Sequence, residues 1–351
     1  NLYDVFGSPE FDTLYEKYER NKKIPRKTIN AQKLFMELLR ERAETGRIYI
    51  MNIDHCNTHS SFKDKVYMSN LCQEITLPTK PVQHIDDDEG EIALCILSAI
   101  NLGLIKDKEE LEELCDLSVR ALDEIIDYQE YPVAAAKKST EARRSLGIGY
   151  IGLAHYLAKN KVKYNNKEAW KLVDEVTEAF QYFLLKASNQ LAQEKGKCDY
   201  FERTKYADGI LPIDTYKKDV DNIVKRKLSY DWTNLRKTIK EHGLRHSTLS
   251  AQMPSESSSV VSNATNGIEP PRDYLSVKKS KKGTLKQIVP DYNRLKNFYT
   301  LLWDMPDNDG YINIVAVMQK YFDQAISGNW SYNPENYEGN EVPLSVMAKD
   351  L

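Results

Sequence analysis

The sequence predicts an α/β fold, and two features support that prediction. Residues 90–103 are almost continuously apolar, which is typical of a strand buried on both faces in a parallel sheet. Long amphipathic helix patterns follow over Glu109–Tyr128 and Lys167–Lys195, with Cys115 on the apolar side of the first. With 351 residues and 41% hydrophobic content, the chain can form one large domain or two smaller ones.

Composition and charge exclude several classes of protein. The net charge of −3 gives no basic surface for nucleic acid. Five cysteines at irregular spacings do not form a secreted disulfide framework, so we expect a reducing compartment. The start of the chain has no signal-peptide pattern, and no apolar run approaches the ~20 residues of a membrane span. We therefore expect a cytoplasmic protein without membrane association.

The first sixty residues read as helix, helix and strand. Ser8-Pro9 predicts a helix start, with an apolar face of Phe11, Leu14, Tyr15 and Tyr18. A second helix is predicted over about 31–45, ending at Gly46, with these residues inward: Leu34, Phe35, Leu38 and Leu39. Arg47–Asn52 has the β-branched and aromatic content of a strand.

Residues 69–75 set an amide, a thiol and a carboxylate at alternate positions. In an extended segment, Asn70, Cys72 and Glu74 would share one side. A thiol flanked by a hydrogen-bonding amide and a proton acceptor is a plausible catalytic unit. The alternative is a short mixed strand with a buried cysteine, since free cysteine usually behaves as a small hydrophobe.

His55, Cys56 and His59 lie within five residues and raise the possibility of zinc. Zinc sites normally need four ligands in paired spacings, and no second cluster follows. Polar turn chemistry at the end of the preceding strand is the favoured interpretation, and we expect no metal in this chain.

Gly147–Gly152 matches the pattern G-x-G-x-x-G of dinucleotide-binding proteins. That motif must follow a strand, whereas here it follows the charged segment 137–144. We interpret the glycines as positions of close packing.

A Ser-rich segment follows a predicted strand over Leu244–Gln252, which itself comes after a helix over Asp231–His242. Residues 253–259 lead into a predicted helix over 258–265, and free N–H groups at a helix start favour an anion. The segment therefore predicts a phosphate-binding loop, with an ordinary serine cap as the alternative. Glu256 opposes phosphate binding unless its side chain turns away.

The last eighty residues predict a hairpin and two helices. The hairpin covers 274–290 and turns at Lys281-Lys282-Gly283. The helices lie near 293–303 and 312–327.

Several segments, in the same order along the chain, together resemble the large, catalytic subunit of class I ribonucleotide reductase, of the bacterial and phage type. The resemblance covers essentially the whole chain. Its strongest segments are residues 52–60, 69–74, 90–95, 143–149, 253–258 and 262–271.

The resemblance implies part of a ten-stranded α/β barrel, made of two parallel half-barrels, with a central finger loop that carries Cys72. It implies that Cys72 forms a thiyl radical, that Glu74 takes the substrate's 3′-hydroxyl proton, and that Asn70 holds the substrate. Cys95 would be one thiol of the redox dithiol. Further substrate contacts would come from Leu71 and from the loop Pro254, Ser255, Glu256, Ser257 and Ser258.

The resemblance also implies what acts with this chain. The substrate is a ribonucleoside diphosphate, and the radical comes from a small (beta) subunit with a di-metal, tyrosyl-radical cofactor. Thioredoxin or glutaredoxin restores the dithiol, the large subunit forms a homodimer, and ATP or dNTP effectors bind outside this chain.

Residues 1–351 would be the C-terminal portion of the catalytic barrel. The allosteric domain, the first barrel strands and the second redox cysteine find no match, so we expect a fragment or a split protein with a companion N-terminal polypeptide. We expect this chain alone to be inactive. The alternatives are a non-catalytic nucleotide-binding or assembly subunit with the same fold, and a glycyl-radical enzyme, whose glycine loop we do not find.

Overall fold

A computed structural model describes residues 1–280 and 283–351, and it contains helices along most of its length. Its two longest helices, over Lys108–Tyr128 and Lys167–Lys195, have 21 and 29 residues. The α-helices are α1 (Glu10–Arg20), α2 (Ala31–Thr45), α3 (Ile53–His59), α4 (Lys108–Tyr128), α5 (Ala134–Arg143), α6 (Leu153–Lys159), α7 (Lys167–Lys195), α8 (Pro212–Thr215), α9 (Trp232–His242), α10 (Glu256–Val261), α11 (Tyr292–Leu295), α12 (Asp309–Gln319) and α13 (Leu344–Asp350).

Four parallel segments lie side by side at the centre. Strand β1 (Ile96–Asn101) pairs with β2 (Leu146–Ile151) in parallel. On the other side of β2, Ser250 forms a parallel bridge with Ile148, and Gln252 forms one with Ile326. The order is therefore β1, β2, 248–252 and 324–327, which confirms the parallel arrangement expected of an α/β fold.

The segment 248–252 is less regular than the predicted strand over 244–252. Its outer edge does not form a continuous ladder, because the Asp323 carboxylate accepts hydrogen bonds from the backbone N–H groups of Leu249 and Ser250. The Asp323 side chain thus accepts the hydrogen bonds that the carbonyl groups of a neighbouring strand would otherwise accept.

Helices α4 and α7 cover the sheet and form the main core with it. The centre of this core is aromatic: the Tyr150 and Phe180 rings lie 5.4 Å apart, and the Phe180 and Phe322 rings 5.7 Å apart. All three side chains are fully buried, and Cys115 is buried on α4 as predicted. Both helices match their predicted ranges to within a residue.

The glycines of the G-x-G-x-x-G match lie in and just after β2, and they allow close packing. A Cβ on Gly147 would lie 2.6 Å from Leu97 Cδ2, and one on Gly149 would lie 2.6 Å from the Ala251 carbonyl oxygen. Real Cβ atoms essentially never come this close, and of the two neighbours only the Leu97 side chain can move aside at low cost. The structure confirms close packing at Gly147 and Gly149, which lie inside β2, and places Gly152, with a positive φ of 75°, at the turn between β2 and α6.

The N-terminal predictions are only partly correct. Arg47–Asn52 is not a strand, because its backbone forms no ladder with any part of the chain that the structure describes. Helix α2 ends at Gly46 as predicted, but Leu39 is buried while Leu34 and Phe35 are 55% and 44% exposed. Periodicity correctly predicted the helix and wrongly predicted that its whole apolar face is covered.

Four further ranges are shorter than predicted or shifted. The apolar stretch 90–103 forms a strand only at β1, where Leu97 is 43% exposed, so one face is incompletely covered. Helix α10 starts two residues before the predicted 258–265. The predicted helix 293–303 is reduced to α11, because the chain bends after Leu295 and buries Tyr299. The predicted helix 312–327 is reduced to α12, because the chain stops being helical after Gln319 and continues as the parallel segment 324–327.

The predicted hairpin is present as β3 (Leu275–Ser280) and β4 (Gly283–Ile288), which pair in antiparallel fashion. Two residues of its predicted turn, Lys281 and Lys282, lie outside the described residues. Across the described ranges, no helix is both long enough and apolar enough to cross a membrane.

Candidate active site

Residues Ser69–Ile75 form a tight turn, which we call the finger turn. The Gln73 N–H donates to the Asn70 carbonyl oxygen at 3.2 Å, and Gln73 has a positive φ of 64°. The extended conformation predicted here is therefore wrong. Leu71 lies at the tip and is 88% exposed.

The turn nevertheless brings the amide and the carboxylate together. Asn70 Nδ2 donates to Glu74 Oε1 at 2.8 Å, and Asn70 Oδ1 accepts from the Ile75 N–H at 3.1 Å. Glu74 is only 2% exposed, and its buried Oε2 has no hydrogen-bond partner within the described structure. One carboxylate oxygen is thus fixed by Asn70 while the other can accept a further hydrogen bond.

The Cys72 thiol lies between these two residues in the turn. Burial raises its pKa, the Glu74 carboxylate raises the pKa further, and a hydrogen bond with Tyr49 lowers it. The net pKa is above the ordinary value, so the thiol keeps its proton at neutral pH. A protonated thiol is a poor nucleophile but still carries a hydrogen atom that can be removed.

Cys95 lies just before β1 and packs beneath β2. A Cβ on Gly147 would lie 2.9 Å from its Sγ, which places the thiol against the strand. Its pKa is raised well above the ordinary value, first by burial and then by Asp323 and Glu74, while a hydrogen bond with Gln324 lowers it. The Glu74 carboxylate therefore acts electrostatically on both thiols. All five cysteines are free.

Residues from the far end of the sequence hold the finger turn in place. The Ala325 N–H donates to the Glu74 carbonyl oxygen at 3.1 Å. The Gln324 side chain accepts from the Thr76 N–H at 3.3 Å and donates to the Leu146 carbonyl oxygen at 2.8 Å. Sequence reasoning missed both residues, because no local pattern marks a contact across 250 positions.

A buried cluster of charges fixes the chain on either side of the finger turn. Arg143 donates to Glu91 at 2.6 Å and to Asp64 at 2.9 Å, and Arg203 contacts the same two carboxylates. Asp64 precedes the finger turn, and Glu91 precedes Cys95 by four residues. The cluster thus joins the two segments that carry the thiols, a role that the sequence pattern around Arg143 did not reveal.

The Ser-rich loop, residues 254–258, starts at the carboxyl end of segment 248–252. Ser255 is buried and its Oγ donates to the Met253 carbonyl oxygen, while Ser257 and Ser258 are exposed. Glu256 turns towards Lys278, whose Nζ lies 3.4 Å from Glu256 Oε1. The carboxylate that opposed an anion is therefore paired with a lysine that sequence reasoning missed.

Ala325 connects the Ser-rich loop with the finger turn. Its N–H donates to Glu74, and its carbonyl oxygen accepts from the Gln252 N–H at 3.1 Å, two residues before the loop. No direct hydrogen bond or ion pair joins the two loops within the described ranges. Both lie beside the same parallel segment, and ligands of parallel α/β folds usually bind at loops of this kind.

A cleft of about 550 Å³ opens beside Cys72, and Tyr49 and Gln324 also line it. Helix α3 forms one wall, so the predicted polar turn at 54–60 is wrong and this stretch is helical. Both ring nitrogens of His59 are occupied, by Thr215 Oγ1 and by the Phe322 carbonyl oxygen. This pairing disfavours zinc at His55, Cys56 and His59, and the described residues contain no metal-binding cluster.

Comparison with known proteins identifies the family. The family model "Ribonucleotide reductase, barrel domain" matches residues 1–296. The chain belongs to the ribonucleotide reductase family. This assignment confirms the predicted α/β barrel class, of which the described residues contribute the four parallel segments around β2.

Curated relatives agree over the whole chain. The chain is 58% identical to "Ribonucleoside-diphosphate reductase subunit alpha" of Haemophilus influenzae and 56% identical to "Ribonucleoside-diphosphate reductase 1 subunit alpha" of Escherichia coli, and each comparison covers 100% of the chain and 47% of the relative. The alpha subunit of Enterobacteria phage T4 is 43% identical over 99% of the chain and 47% of the relative. The chain thus spans about half the length of the curated relatives it matches.

Proposed function

We propose that this chain supplies the radical cysteine and part of the substrate site for the reduction of ribonucleoside diphosphates to 2′-deoxyribonucleoside diphosphates. The observation that carries the proposal is the finger turn, where Asn70 fixes one oxygen of Glu74, the other oxygen has no partner within the described structure, and the Glu74 carboxylate raises the pKa of Cys72. Membership of the reductase family supports it.

The proposed chemistry gives each of these groups a distinct role. Cys72, as a thiyl radical, takes the 3′-hydrogen of the ribose while Glu74 Oε2 accepts the 3′-hydroxyl proton. The 2′-hydroxyl leaves as water, and a dithiol that includes Cys95 supplies two electrons and two protons and becomes a disulfide. Cys72 then returns its hydrogen atom to C3′, and Glu74 returns its proton to the 3′-oxygen. The raised pKa of Cys72 suits this role, because the thiol must present a hydrogen atom.

We propose that the oxidant that creates the radical comes from a small (beta) subunit with a di-metal, tyrosyl-radical cofactor, as the family resemblance implies. The same resemblance supports a second redox cysteine on the part of the relatives that this chain does not cover, thioredoxin or glutaredoxin as reductant, and a homodimer of large subunits. We propose that ATP or dNTP effectors also bind outside these residues.

The Ser-rich loop is the proposed site of the substrate's diphosphate. Its exposed Ser257 offers a hydroxyl group, the exposed Ser258 hydroxyl donates to the Ser255 carbonyl oxygen at 3.3 Å, and Glu256 is turned towards Lys278. The Ala325 N–H donates to the Glu74 carbonyl oxygen, and the Ala325 carbonyl oxygen accepts from the N–H of Gln252, just before this loop. These two hydrogen bonds hold the loop near the finger turn and support a single site for ribose and phosphate.

The decisive experiment is reduction of cytidine diphosphate by this chain with a small subunit and a dithiol reductant. A polypeptide that supplies the remaining length of the relatives is added or left out. We expect reduction only when it is added. If the partners bind and no combination is active, the chain is instead a non-catalytic subunit with the reductase fold.

Two cysteine variants of the assembled enzyme then test the roles of the thiols. Cys72→Ser should abolish reduction while substrate still binds, and normal turnover would contradict the proposal. Cys95→Ser should block repeated turnover with the physiological reductant. Cys115→Ser is the matched control, since Cys115 is buried on α4 among core residues and should be needed only for stability.

A further inference from the structure

The β3–β4 hairpin lies over the Ser-rich loop with one defined face. Residues paired across an antiparallel ladder share a face, and so do alternate residues along a strand. Ser276 pairs with Gln287, and Lys278 is the alternate residue after Ser276 on β3. All three side chains therefore lie on the same face of the hairpin. On that face, Gln287 Nε2 donates to the Ala264 carbonyl oxygen at 3.1 Å and Lys278 Nζ donates to the Glu256 carbonyl oxygen at 3.3 Å. This is the inner face of the hairpin.

The Ser-rich loop by itself is poorly suited to a polyanion. Residues 254–258 contain one acidic side chain and no basic one. A diphosphate placed here would meet the Glu256 carboxylate without a compensating charge, and like charges at short range are costly. Lys278 brings a cation to within 3.4 Å of that carboxylate.

The existing ion pair is weak enough to be exchanged. The side chains of Lys278 and Glu256 are 39% and 71% exposed, and surface pairs of this kind contribute little to stability. The ammonium group has three donors, so it can keep the Glu256 carbonyl oxygen and still reach a second acceptor. A phosphate oxygen is a stronger partner, because both groups of the new hydrogen bond are charged and the phosphate carries more charge than a carboxylate.

We propose that Lys278 is a substrate-binding residue, whose ammonium group contacts a phosphate oxygen of the ribonucleoside diphosphate held at the Ser-rich loop. The Glu256 carbonyl oxygen holds the ammonium group in place between substrates. The inference rests on the proposed function and extends it, since it assigns recognition of the diphosphate to a residue of the hairpin about twenty positions after the loop.

The hairpin itself offers a matched control. Lys279 is the next residue of the same strand and pairs with Thr284, so it lies on the opposite, outward face. It has the same charge and the same strand environment but does not face the loop.

The test measures binding of cytidine diphosphate and of cytidine to the assembled reductase by equilibrium dialysis. Lys278→Met should raise the Kd of the diphosphate about tenfold or more, as expected for loss of a charge-assisted hydrogen bond. Lys278→Arg should largely restore binding, and Lys279→Met should leave the Kd unchanged. The difference between wild type and Lys278→Met should shrink as salt is raised, and cytidine binding should not respond to any of these changes.

A purely structural role for Lys278 would give a different pattern. Gln287→Leu removes the other tether of the hairpin without removing a charge, and we expect its Kd for the diphosphate to stay near that of wild type. Equal loss in Gln287→Leu and Lys278→Met, or equal loss for cytidine, would overturn the proposal. Normal diphosphate binding by Lys278→Met would overturn it as well and leave the proposed function intact, whereas failure of the wild-type enzyme to bind the diphosphate would overturn both.

Discussion

The frame, which consists of β1, β2, α4 and α7, and the finger turn differ in how they are held. In the frame, the rings of Tyr150 and Phe180 are fully buried against each other and against the ring of Phe322, which follows α12. The finger turn exposes Leu71 at its tip and depends on a few hydrogen bonds to Gln324 and Ala325. Stability and the proposed chemistry therefore reside in different segments that meet at one short stretch of backbone.

The largest effect should come from removing a ring from the frame. Phe180→Ala should lower the free energy of unfolding by about 3–5 kcal/mol, because it leaves a cavity among buried side chains. Leu71→Ala should change it by less than about 0.5 kcal/mol, because Leu71 is mostly in solvent. Denaturant unfolding of both variants measures the contrast, which would disappear if Leu71→Ala were equally destabilising.

A smaller effect is expected at the junction of the two regions. Gln324→Leu removes the partners of the Thr76 N–H and the Leu146 carbonyl oxygen, and unpaired buried groups of this kind cost about 1–3 kcal/mol. Gln193→Leu is the control, since within the described structure that amide hydrogen-bonds to Asn189 of its own helix. If Gln324→Leu unfolds at the wild-type denaturant concentration, the finger turn does not depend on this junction.

The smallest effect concerns the reactivity of the finger thiol. Because the Glu74 carboxylate raises the pKa of Cys72, Glu74→Gln should lower that pKa and speed alkylation by iodoacetamide at neutral pH by a few-fold. Glu74→Asp keeps the charge and should preserve the slow reaction. Mass spectrometry of the Cys72 peptide across a pH series measures the shift, and identical profiles would show that Glu74 does not act on the thiol.

The sequence was a good guide to the helices of the frame, but it missed strand β2, overextended β1, and was a poor guide to the conformation of the finger turn. Helices α4 and α7 were predicted almost to the residue, because long amphipathic patterns and nearby stop signals act locally. The finger turn needs a positive φ at Gln73, a residue type that gives no warning of it. Arg47–Asn52 has the composition of a strand but pairs with no other strand in the described structure. Composition alone does not show whether a segment has a strand to pair with.

The residues of the candidate site also fall into two groups, those that the sequence predicted and those that only the structure revealed. The sequence named Asn70, Cys72 and Glu74 because they are neighbours in one motif, and the turn brings Asn70 and Glu74 into contact with Cys72 between them. Tyr49, Gln324 and Lys278 come from other segments and acquire meaning only through tertiary contacts. The roles of all these residues in reduction stay predictions until the variants are measured.

The hydrogen bond from Ala325 to Glu74 has a consequence for mutational scanning. Both its donor and its acceptor belong to the main chain, so replacement of either side chain leaves the contact intact. Position 325 is already an alanine, so an alanine scan makes no change there and cannot detect this contact, although the position of the finger turn depends on it. Proline is the substitution that removes the donor, and sequence variation at this position should be tolerated for almost every residue type that fits the space.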